Sequence, residues 1–336
     1  MNFDLNDEQR EIKSTAKEFL AGRFKPEKVR ELAESRSYDD ALWQEICELG
    51  WPGIAVPEEH GGQGLGTVEL TLLCEEIGYA CAPLPFLSNA LAGLVIAEGG
   101  SDQQRGRWLP GISSGEARGA VALEPQEPAV VADAEGAAVL ALPRGDGGVL
   151  AEPDQVEIEP LELIDATRSY ARVSATDGEE QPVETGAYRG MVALAGELTG
   201  VAQRAMEMAV DYAREREQFG RPIGSYQAVS HRCAQMLYDV EESRSLTYYA
   251  AWSADAEPES LPLAAHMAKA RASDAAWAVS SSALQVLGGI GFTWEHDLQF
   301  WLKRARVDGQ LLGTARQHRE RVAELSGMGA AEPVTA

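Results

Sequence analysis

Arg216 and Phe219 are the residues whose types and spacing most suggest a binding site. A guanidinium group grips phosphate oxygens in pairs, so a cation beside a flat ring forms a prepared site for a phosphate. The alternative is structural, because the C-terminus of a helix favours a cation whatever its other role. Composition and spacing alone leave both interpretations open.

An amphipathic helix must position this pair. Its apolar residues recur in steps of four and three, as on a helix face that is turned to a core. They are Leu194, Leu198, Val201, Ala205, Met208 and Tyr212. The same steps lead next to Arg216 and Phe219, so both are predicted on the buried stripe at the helix end. Gly220 and Pro222 then stop the helix, and Ser225 is placed to cap the next one.

Other chemistry-bearing residues give weaker signals. The cysteines form no CxxC pair and have no His partners at ligand spacing, which predicts reduced, buried thiols and no metal site. They are Cys47, Cys74, Cys81 and Cys233. The glycines of residues 61–66 form a turned loop before a helix, where phosphate can bind. This loop lacks a P-loop lysine and follows Glu58 and Glu59, which favours a packed connector.

Composition limits the class of protein. The formal charge is −24, from 53 acidic and 29 basic residues, and such a field repels nucleic acid. No run approaches roughly eighteen apolar residues, so no segment is expected to span a membrane. The N-terminus is charged and amphipathic, without the apolar centre of a signal peptide. These features predict a cytoplasmic protein.

The 336 residues divide by pattern into three parts and a tail. Residues 1–112 show helical periodicity, and residues 113–185 contain short apolar runs between Gly, Asp and Pro turns, as in a small β domain. Residues 186–326 predict long helices, and residues 327–336 a frayed tail. We therefore expect a mainly α protein with a small β domain.

Three stretches resemble the acyl-CoA dehydrogenase family: RxQFGRPI with YQAVSH, the loop LGWPGIAVPEEHGGQGLG, and QVLGGIGF. The resemblance covers nearly the whole chain but is poor between about residues 124 and 185. It implies an acyl-CoA dehydrogenase-like fold with an N-terminal helical domain, a reduced middle β domain and a C-terminal four-helix bundle. It also implies FAD, whose ADP half is held across a subunit interface. The residues implied to contact it are Arg216, Gln218, Phe219, Ile223, Tyr226, Val229, Gln285, Val286, Gly288 and Gly289.

The chain departs from the family in the loop that approaches the flavin. Where the family has a TEPGxGSD-like loop, this chain has ALEPQEPAVVAD. Leu123 replaces the threonine, and Gln126, Glu127 and Pro128 bring bulk and negative charge where glycine would let the backbone come close. The middle domain is therefore expected not to hold an isoalloxazine ring.

The position of the catalytic base differs as well. The resemblance implies removal of the α-proton of an acyl thioester by a buried glutamate, while hydride passes to the flavin. The glutamate position before Gly-Thr is Leu312, and the other family position matches residues 188–191, which contain no carboxylate. Arg316 stands where the family has a flavin-contacting glutamine. Glu197 and Asp308 are weak candidates for a substitute base. We expect Glu197 to be a helix residue that pairs with an arginine, and Asp308 to be a residue of a surface turn.

These departures resemble the shortened, non-catalytic subunit of heteromeric acyl-CoA dehydrogenases of the steroid side-chain or dicarboxylyl-CoA type. The resemblance then implies an α2β2 heterotetramer in which a full-length acyl-CoA dehydrogenase subunit supplies the flavin ring contacts, the base and most of the acyl-CoA site. Electron-transfer flavoprotein is the implied acceptor. The alternatives are a self-sufficient dehydrogenase with an unusual base and a non-enzymatic acyl-CoA-binding or scaffold protein.

Overall fold

The computed structural model describes residues 4–122, 128–144 and 147–328. Its N-terminal part is helical, and local sequence sets several helix starts. Asn6 with Gln9, and Ser101 with Gln104, form capping boxes in which side chain and backbone bond reciprocally. The helices are α1 (Asp7–Arg23), α2 (Pro26–Ser35), α3 (Asp40–Glu48), α4 (Thr67–Ala80), α5 (Phe86–Gly99) and α6 (Asp102–Ser114).

Two small sheets form the middle part. Their strands are β1 (Gly119–Val121), β2 (Ala129–Ala132), β3 (Val139–Arg144), β4 (Gly147–Ala151), β5 (Val156–Pro160), β6 (Tyr170–Ala175) and β7 (Glu179–Gln181). One sheet has the order β1-β3-β4-β7 and the other β2-β6-β5, and only the β1–β3 pairing is parallel. Small and β-branched side chains such as Ala120, Val131 and Val173 fill a separate core between them.

Long helices form the C-terminal part: α7 (Glu184–Glu215), α8 (Gln227–Ala256), α9 (Leu261–Leu287), α10 (Leu298–Asp308) and α11 (Ala315–Leu325). A two-stranded hairpin, β8 (Glu217–Gln218) with β9 (Arg221–Pro222), joins α7 to α8. α7 contacts α4 and α5 as well as α8 and α9, so one continuous core runs through both helical parts.

The expected fold class is confirmed, whereas the predicted limits of its parts stay predictions. α6 ends at Ser114 rather than at residue 112, and α7 begins at Glu184 rather than at residue 186. The apolar pattern did not separately predict α2, which is rich in charged residues, nor β5, whose glutamates alternate with valine and isoleucine. The altered flavin loop at residues 123–127 and most of the expected tail, residues 329–336, lie outside the described residues.

The segment Pro258–Phe292 is long and apolar enough to cross a membrane by length and composition, with a mean hydropathy of 1.2. The sequence pattern did not predict this segment, because Lys269, Arg271 and Asp274 interrupt its apolar run. The segment contains α9, which packs against α7, α8, α10 and α11, and 44% of the apolar window is buried inside the protein. Packing in the bundle accounts for its apolar composition.

Glycines let α4 and α7 approach closely. A Cβ added to Gly200 would lie 1.8 Å from the carbonyl oxygen of Glu75, and one added to Gly78 would lie 2.0 Å from that of Glu197. No side chain fits at those distances, so the two helices touch backbone to backbone. This contact sets the distance between the N-terminal helices and the bundle.

We expect Gly200→Ala to lower the free energy of unfolding by about 2 kcal/mol or more, because the methyl group forces the two helices apart. Chemical denaturation followed by circular dichroism measures this. The control is Gly106→Ala in α6, where a Cβ meets no atom within 4 Å; it should raise stability by about 0.5–1 kcal/mol. An unchanged denaturation midpoint for Gly200→Ala would contradict the close contact.

Candidate functional site

Helix α7 ends before the residues that were predicted on its buried stripe. Its last residue is Glu215, and Arg216 has an extended backbone whose N–H donates to the carbonyl of Tyr212. Phe219 is 93% exposed, so the prediction that the pair lies on the buried stripe was wrong. The stripe itself is buried from Leu194 to Ala205.

The pair instead belongs to the hairpin of β8 and β9. Phe219 and Gly220 form its turn with φ of 54° and 80°, and a two-residue turn with positive φ at both positions matches the twist of such strands. Gly220 therefore shapes the turn rather than stopping the helix. Ser225 does not cap α8: its hydroxyl donates to the carbonyl of Pro222, and Tyr226 occupies the N-cap position.

Short contacts hold the hairpin. The N–H of Ile223 donates to the carbonyl of Arg216 at 2.8 Å, and the Tyr226 hydroxyl donates to that of Gln218 at 3.1 Å. Ile223 and Val229 are partly buried against the main core and anchor the hairpin from below. The strand register and these bonds fix where Arg216 and Phe219 project.

The exposed side of the hairpin carries cations and rings. The Arg221 guanidinium lies 4.1 Å from the centre of the Tyr226 ring, and the Phe219 ring lies 6.4 Å from it. Arg216 is exposed and forms no ion pair with any described carboxylate. A cation without a partner beside a solvent-exposed ring is suited to an anion that carries a planar group.

The end of α9 provides a second open backbone. Gly288 caps the helix with φ 62° and ψ −136°, which confirms the expected C-cap, and a Cβ at Gly288 or Gly289 would meet nothing within 4 Å. Gln285 is exposed, whereas the Val286 side chain packs in the main core. Among the described residues, no hydrogen bond or ring contact connects this end to the hairpin, so the predicted binding residues form two open surfaces.

Leu312 lies in an apolar pocket. It is 9% exposed and borders a cavity of about 30 Å³ together with Leu87, Leu91, Leu194 and Leu311. This volume holds a water molecule but neither an acyl chain nor a flavin ring. Among the described residues, the lining contains no carboxylate.

The chain segment that carries Leu312 is held by Lys269 of α9. The buried ammonium group donates to the carbonyl oxygens of Asp308 at 3.3 Å, Gly309 at 3.5 Å and Gly313 at 3.3 Å. Leu312 itself has φ 58°, a left-handed conformation that is uncommon for a leucine. Thr314 then starts α11 with the predicted capping box to Gln317, so the segment is fixed at both ends.

Glu197 is paired with arginines, as expected, and it is fully buried. Its Oε1 accepts from Arg168 at 2.7 Å and from Arg304 at 2.5 Å. Arg304 also pairs with Asp165 at 2.8 Å. Glu197 does not line the cavity beside Leu312, so it is placed as a structural ion pair rather than as a base.

The expectation that Asp308 is a surface turn residue was wrong. It is the last residue of α10, is fully buried, and accepts from Arg168 at 2.8 Å. Burial raises the pKa of Asp308 to about 7, against the opposing charge of Arg168 and with the help of Glu197. In Asp165, by contrast, Arg304 and bonds from Thr167 outweigh burial and lower the pKa.

Asp165, Arg168 and Arg304, which the sequence did not single out, complete this buried ion cluster. Arg304 could have been found from the helical spacing of Leu298, Trp301 and Arg304, which places it on the apolar face of α10. For the loop residues Asp165 and Arg168 no local signal exists. Their burial results from the docking of the middle part against α7 and α10.

The other predicted features lie as follows. Cys74 and Cys81 are buried, as expected, but Cys47 and Cys233 are only partly so; burial raises the pKa of Cys81 to about 12. Among the described residues, no group of three or more His, Cys, Asp or Glu is placed to hold a metal ion. In the glycine-rich loop, a Cβ at Gly62 would lie 2.0 Å from the carbonyl oxygen of Val56, which supports a packed connector. Arg316 is exposed and pairs with Glu320.

Replacement of Asp308 tests the raised pKa. The unfolded chain ionises Asp near pH 4, so wild-type stability should lose this group's contribution as pH rises from about 4 to about 7 and then level off. Asp308→Asn stays neutral, and the difference in unfolding free energy, variant minus wild type, should increase over that window. Urea denaturation at a series of pH values measures it. A difference that does not change with pH would exclude the raised pKa.

Comparison with known proteins agrees with this architecture. Residues 6–116 match the acyl-CoA dehydrogenase N-terminal domain and residues 183–326 the C-terminal domain. Acyl-CoA dehydrogenase IpdE2 of Mycolicibacterium smegmatis is 33% identical over 324 residues, which cover 95% of this chain and 98% of the relative.

Solved structures show the same likeness. A variant of the Tcur3481-Tcur3483 steroid ACAD superposes with a TM-score of 0.89 at 29% identity and covers 97% of this chain and 99% of its own. The ChsE4-ChsE5 complex from Mycobacterium tuberculosis shares the fold, with a TM-score of 0.86 at 22% identity and coverage of 98% and 100%. The chain therefore belongs to the acyl-CoA dehydrogenase family, whose cofactor is FAD.

Proposed function

We propose that this chain is the non-catalytic subunit of a heteromeric acyl-CoA dehydrogenase. It contributes the surface for the ADP half of FAD, and a full-length partner subunit contributes the flavin ring contacts, the catalytic glutamate and the acyl pocket. The observation that carries the proposal is the contrast between an open hairpin with an unpaired Arg216 and a filled pocket around Leu312.

The hairpin and the end of α9 fit the proposed cofactor half. Arg216 can neutralise a phosphate that would otherwise meet a strongly acidic protein. Phe219 is exposed and backed by Tyr226, so one face or edge of its ring is available to a planar base. Gly288 and Gly289 present backbone without side chains in open space, which allows close approach of a ligand.

The pocket around Leu312 does not fit the reacting end of the cofactor. When bound, FAD supplies the acceptor for a hydride from the acyl chain. Proton removal from the neighbouring carbon requires a base within hydrogen-bond reach. A leucine side chain cannot accept a proton, and the 30 Å³ cavity leaves no room for a thioester. The residues of this chain therefore exclude the reaction from their own pocket.

Two alternatives have less support. A self-sufficient enzyme would need Glu197 or Asp308 as its base, but both are fully buried, bound by Arg168, and absent from the lining of the pocket. A scaffold without cofactor would not need an exposed cation and an exposed aromatic ring at Arg216 and Phe219, because neither side chain contributes to the core. The hairpin favours the FAD-sharing subunit.

The relatives suggest the kind of complex. A steroid ACAD and the ChsE4-ChsE5 complex have this fold, and a filled half-site would leave room for a bulky acyl group in the partner's half. We include in the proposal an α2β2 heterotetramer, electron-transfer flavoprotein as the acceptor, and a cytoplasmic location. The acyl group itself is recognised by the partner.

Purification together with a full-length acyl-CoA dehydrogenase subunit from the same organism tests the proposal. The two chains should copurify as a yellow complex with fewer flavins than chains, and this chain alone should be colourless. If the isolated chain carries one FAD each and is bleached by acyl-CoA, it is self-sufficient. If the copurified complex contains no flavin, the scaffold alternative stands.

The hairpin can be tested by one charge. In the complex, Arg216→Gln should weaken FAD retention by about tenfold or more, because a charge-assisted bond to phosphate is lost. Flavin fluorescence released during dialysis measures retention. The matched control is Arg214→Gln, an exposed cation two residues earlier that pairs with Asp211 on α7. Equal flavin loss in both variants would contradict a specific contact at Arg216.

A further inference from the structure

A cleft outside the FAD surface lies where α1, α4 and α7 meet. It consists of two adjoining cavities of about 220 Å³ and 210 Å³, which share Lys17, Glu76 and Tyr79 in their walls. The first extends to α10 and the second to α8. Neither cavity is lined by a residue of the hairpin, of the α9 end or of the pocket at Leu312.

Glu76 is the unusual group in this cleft. Its side chain is 7% exposed and forms no hydrogen bond with any described residue; its nearest cation is the Lys13 Nζ at 3.8 Å. The neighbouring Glu75 takes the close partners instead, Lys13 at 2.9 Å and Arg244 at 2.9 Å. A carboxyl group with its hydrogen-bonding capacity unused thus faces a cavity.

The first cavity carries three cations, Lys17, Lys25 and Arg204, whereas glutamates line much of the second. Lys17 and Lys25 form no ion pair with any described carboxylate, and Arg204 reaches Glu207 only at 4.0 Å. Lys17 and Arg204 both lie against the Tyr79 ring, at 5.7 Å and 5.6 Å from its centre. In a chain with a net charge of −24, carboxylates are abundant, so two lysines without an ion pair at the first cavity point to an anion that is not part of the protein.

The rest of the first cavity is apolar. Its lining includes Leu20 of α1, Phe24 directly after that helix, Ala80 of α4 and Trp301 of α10. Trp301 is held in place because its indole N–H donates to the carbonyl of Tyr79 at 2.9 Å. A rigid apolar wall below a cationic rim fits a molecule with an apolar body and one anionic end.

From these features we infer that the cleft binds a small amphipathic carboxylate. Its carboxylate group lies between Arg204 and the two lysines, its apolar body lies against Phe24 and Trp301, and the protonated carboxyl of Glu76 donates a hydrogen bond to it. This site shares no lining residue with the proposed FAD surface.

Binding should take up a proton. Burial raises the pKa of Glu76 to about 7, with Lys13, Lys17 and Arg244 opposing the rise and Glu75 adding to it. An anion beside Glu76 favours its protonated form further. Affinity should therefore be highest below pH 7 and fall by about tenfold for each pH unit above it.

Titration calorimetry with hexanoate on the purified full-length chain tests the inference. Hexanamide, which has the same apolar body but no charge, is the control ligand. Hexanoate should bind saturably at pH 6, and hexanamide about tenfold more weakly or not at all. Arg204→Gln should lower the affinity for hexanoate by about tenfold. Arg214→Gln, which lies outside this cleft, should leave that affinity unchanged. Glu76→Gln keeps a donor that does not titrate, so it should bind hexanoate with little dependence on pH.

Several results would overturn the inference. They are the absence of saturable hexanoate binding at pH 6, equal affinity for hexanamide, or an unchanged pH dependence in Glu76→Gln. If that variant does not fold, wild-type titrations in buffers of different ionisation enthalpy still count the protons taken up. If no proton is taken up on binding, Glu76 is not the hydrogen-bond donor to the ligand. Flavin content plays no part in these measurements, so failure here leaves the proposed FAD function untouched.

Discussion

The buried ion cluster of Arg168, Arg304, Glu197, Asp165 and Asp308 is the interaction on which the arrangement of the middle part and the C-terminal bundle depends. Each charge taken out of water carries a desolvation penalty of several kcal/mol, which only good geometry and further hydrogen bonds offset. Here the charges come from the middle part, α7 and α10, and each arginine bonds two acidic groups. Separation of the middle part from α7 and α10 would leave unpaired charges in a dry interior, so the cluster holds these two parts in a fixed arrangement.

This rigid junction lies next to the pocket where the family does its chemistry. Asp308 belongs to the cluster through its side chain and to the Lys269 contacts through its carbonyl, so the cluster and the segment around Leu312 are connected. Apolar side chains close that pocket, while the hairpin at the end of α7 stays open to solvent. The pocket around Leu312 is therefore tightly packed and without reactive groups, whereas the hairpin exposes a cation and an aromatic ring to solvent.

Periodicity predicted most of the helical fold because the long helices bury a continuous face, as Leu194 and Leu198 do in α7. It failed at the end of that helix, since the spacing of Arg216 and Phe219 fits a helix as well as a hairpin. Only Gly220 and Pro222 bear on the choice between a helix and a hairpin. Both residue types are typical of a helix end as well as of a turn, and the sequence analysis predicts a helix end. The family motif singled out the binding candidates, which stay a prediction, but the hairpin that carries them required coordinates.

Asp308 shows a different limit. Its neighbour Gly309 suggests a turn at the surface, and its burial follows from Arg168, which is 140 residues away in the chain. No local pattern encodes such a pairing. The same holds for Glu76, whose adjacent Glu75 has the same residue type but receives all the close cations.

The left-handed backbone at Leu312 has one more consequence. Such a conformation costs a leucine roughly 1 kcal/mol, which burial of its side chain in the main core helps to offset. Lys269, Gly313 and the cap of α11 impose the shape from outside. The contacts that fix this loop thus do not involve the side chain at position 312. In evolution, one substitution there can add or remove an acid while the backbone that carries it stays the same.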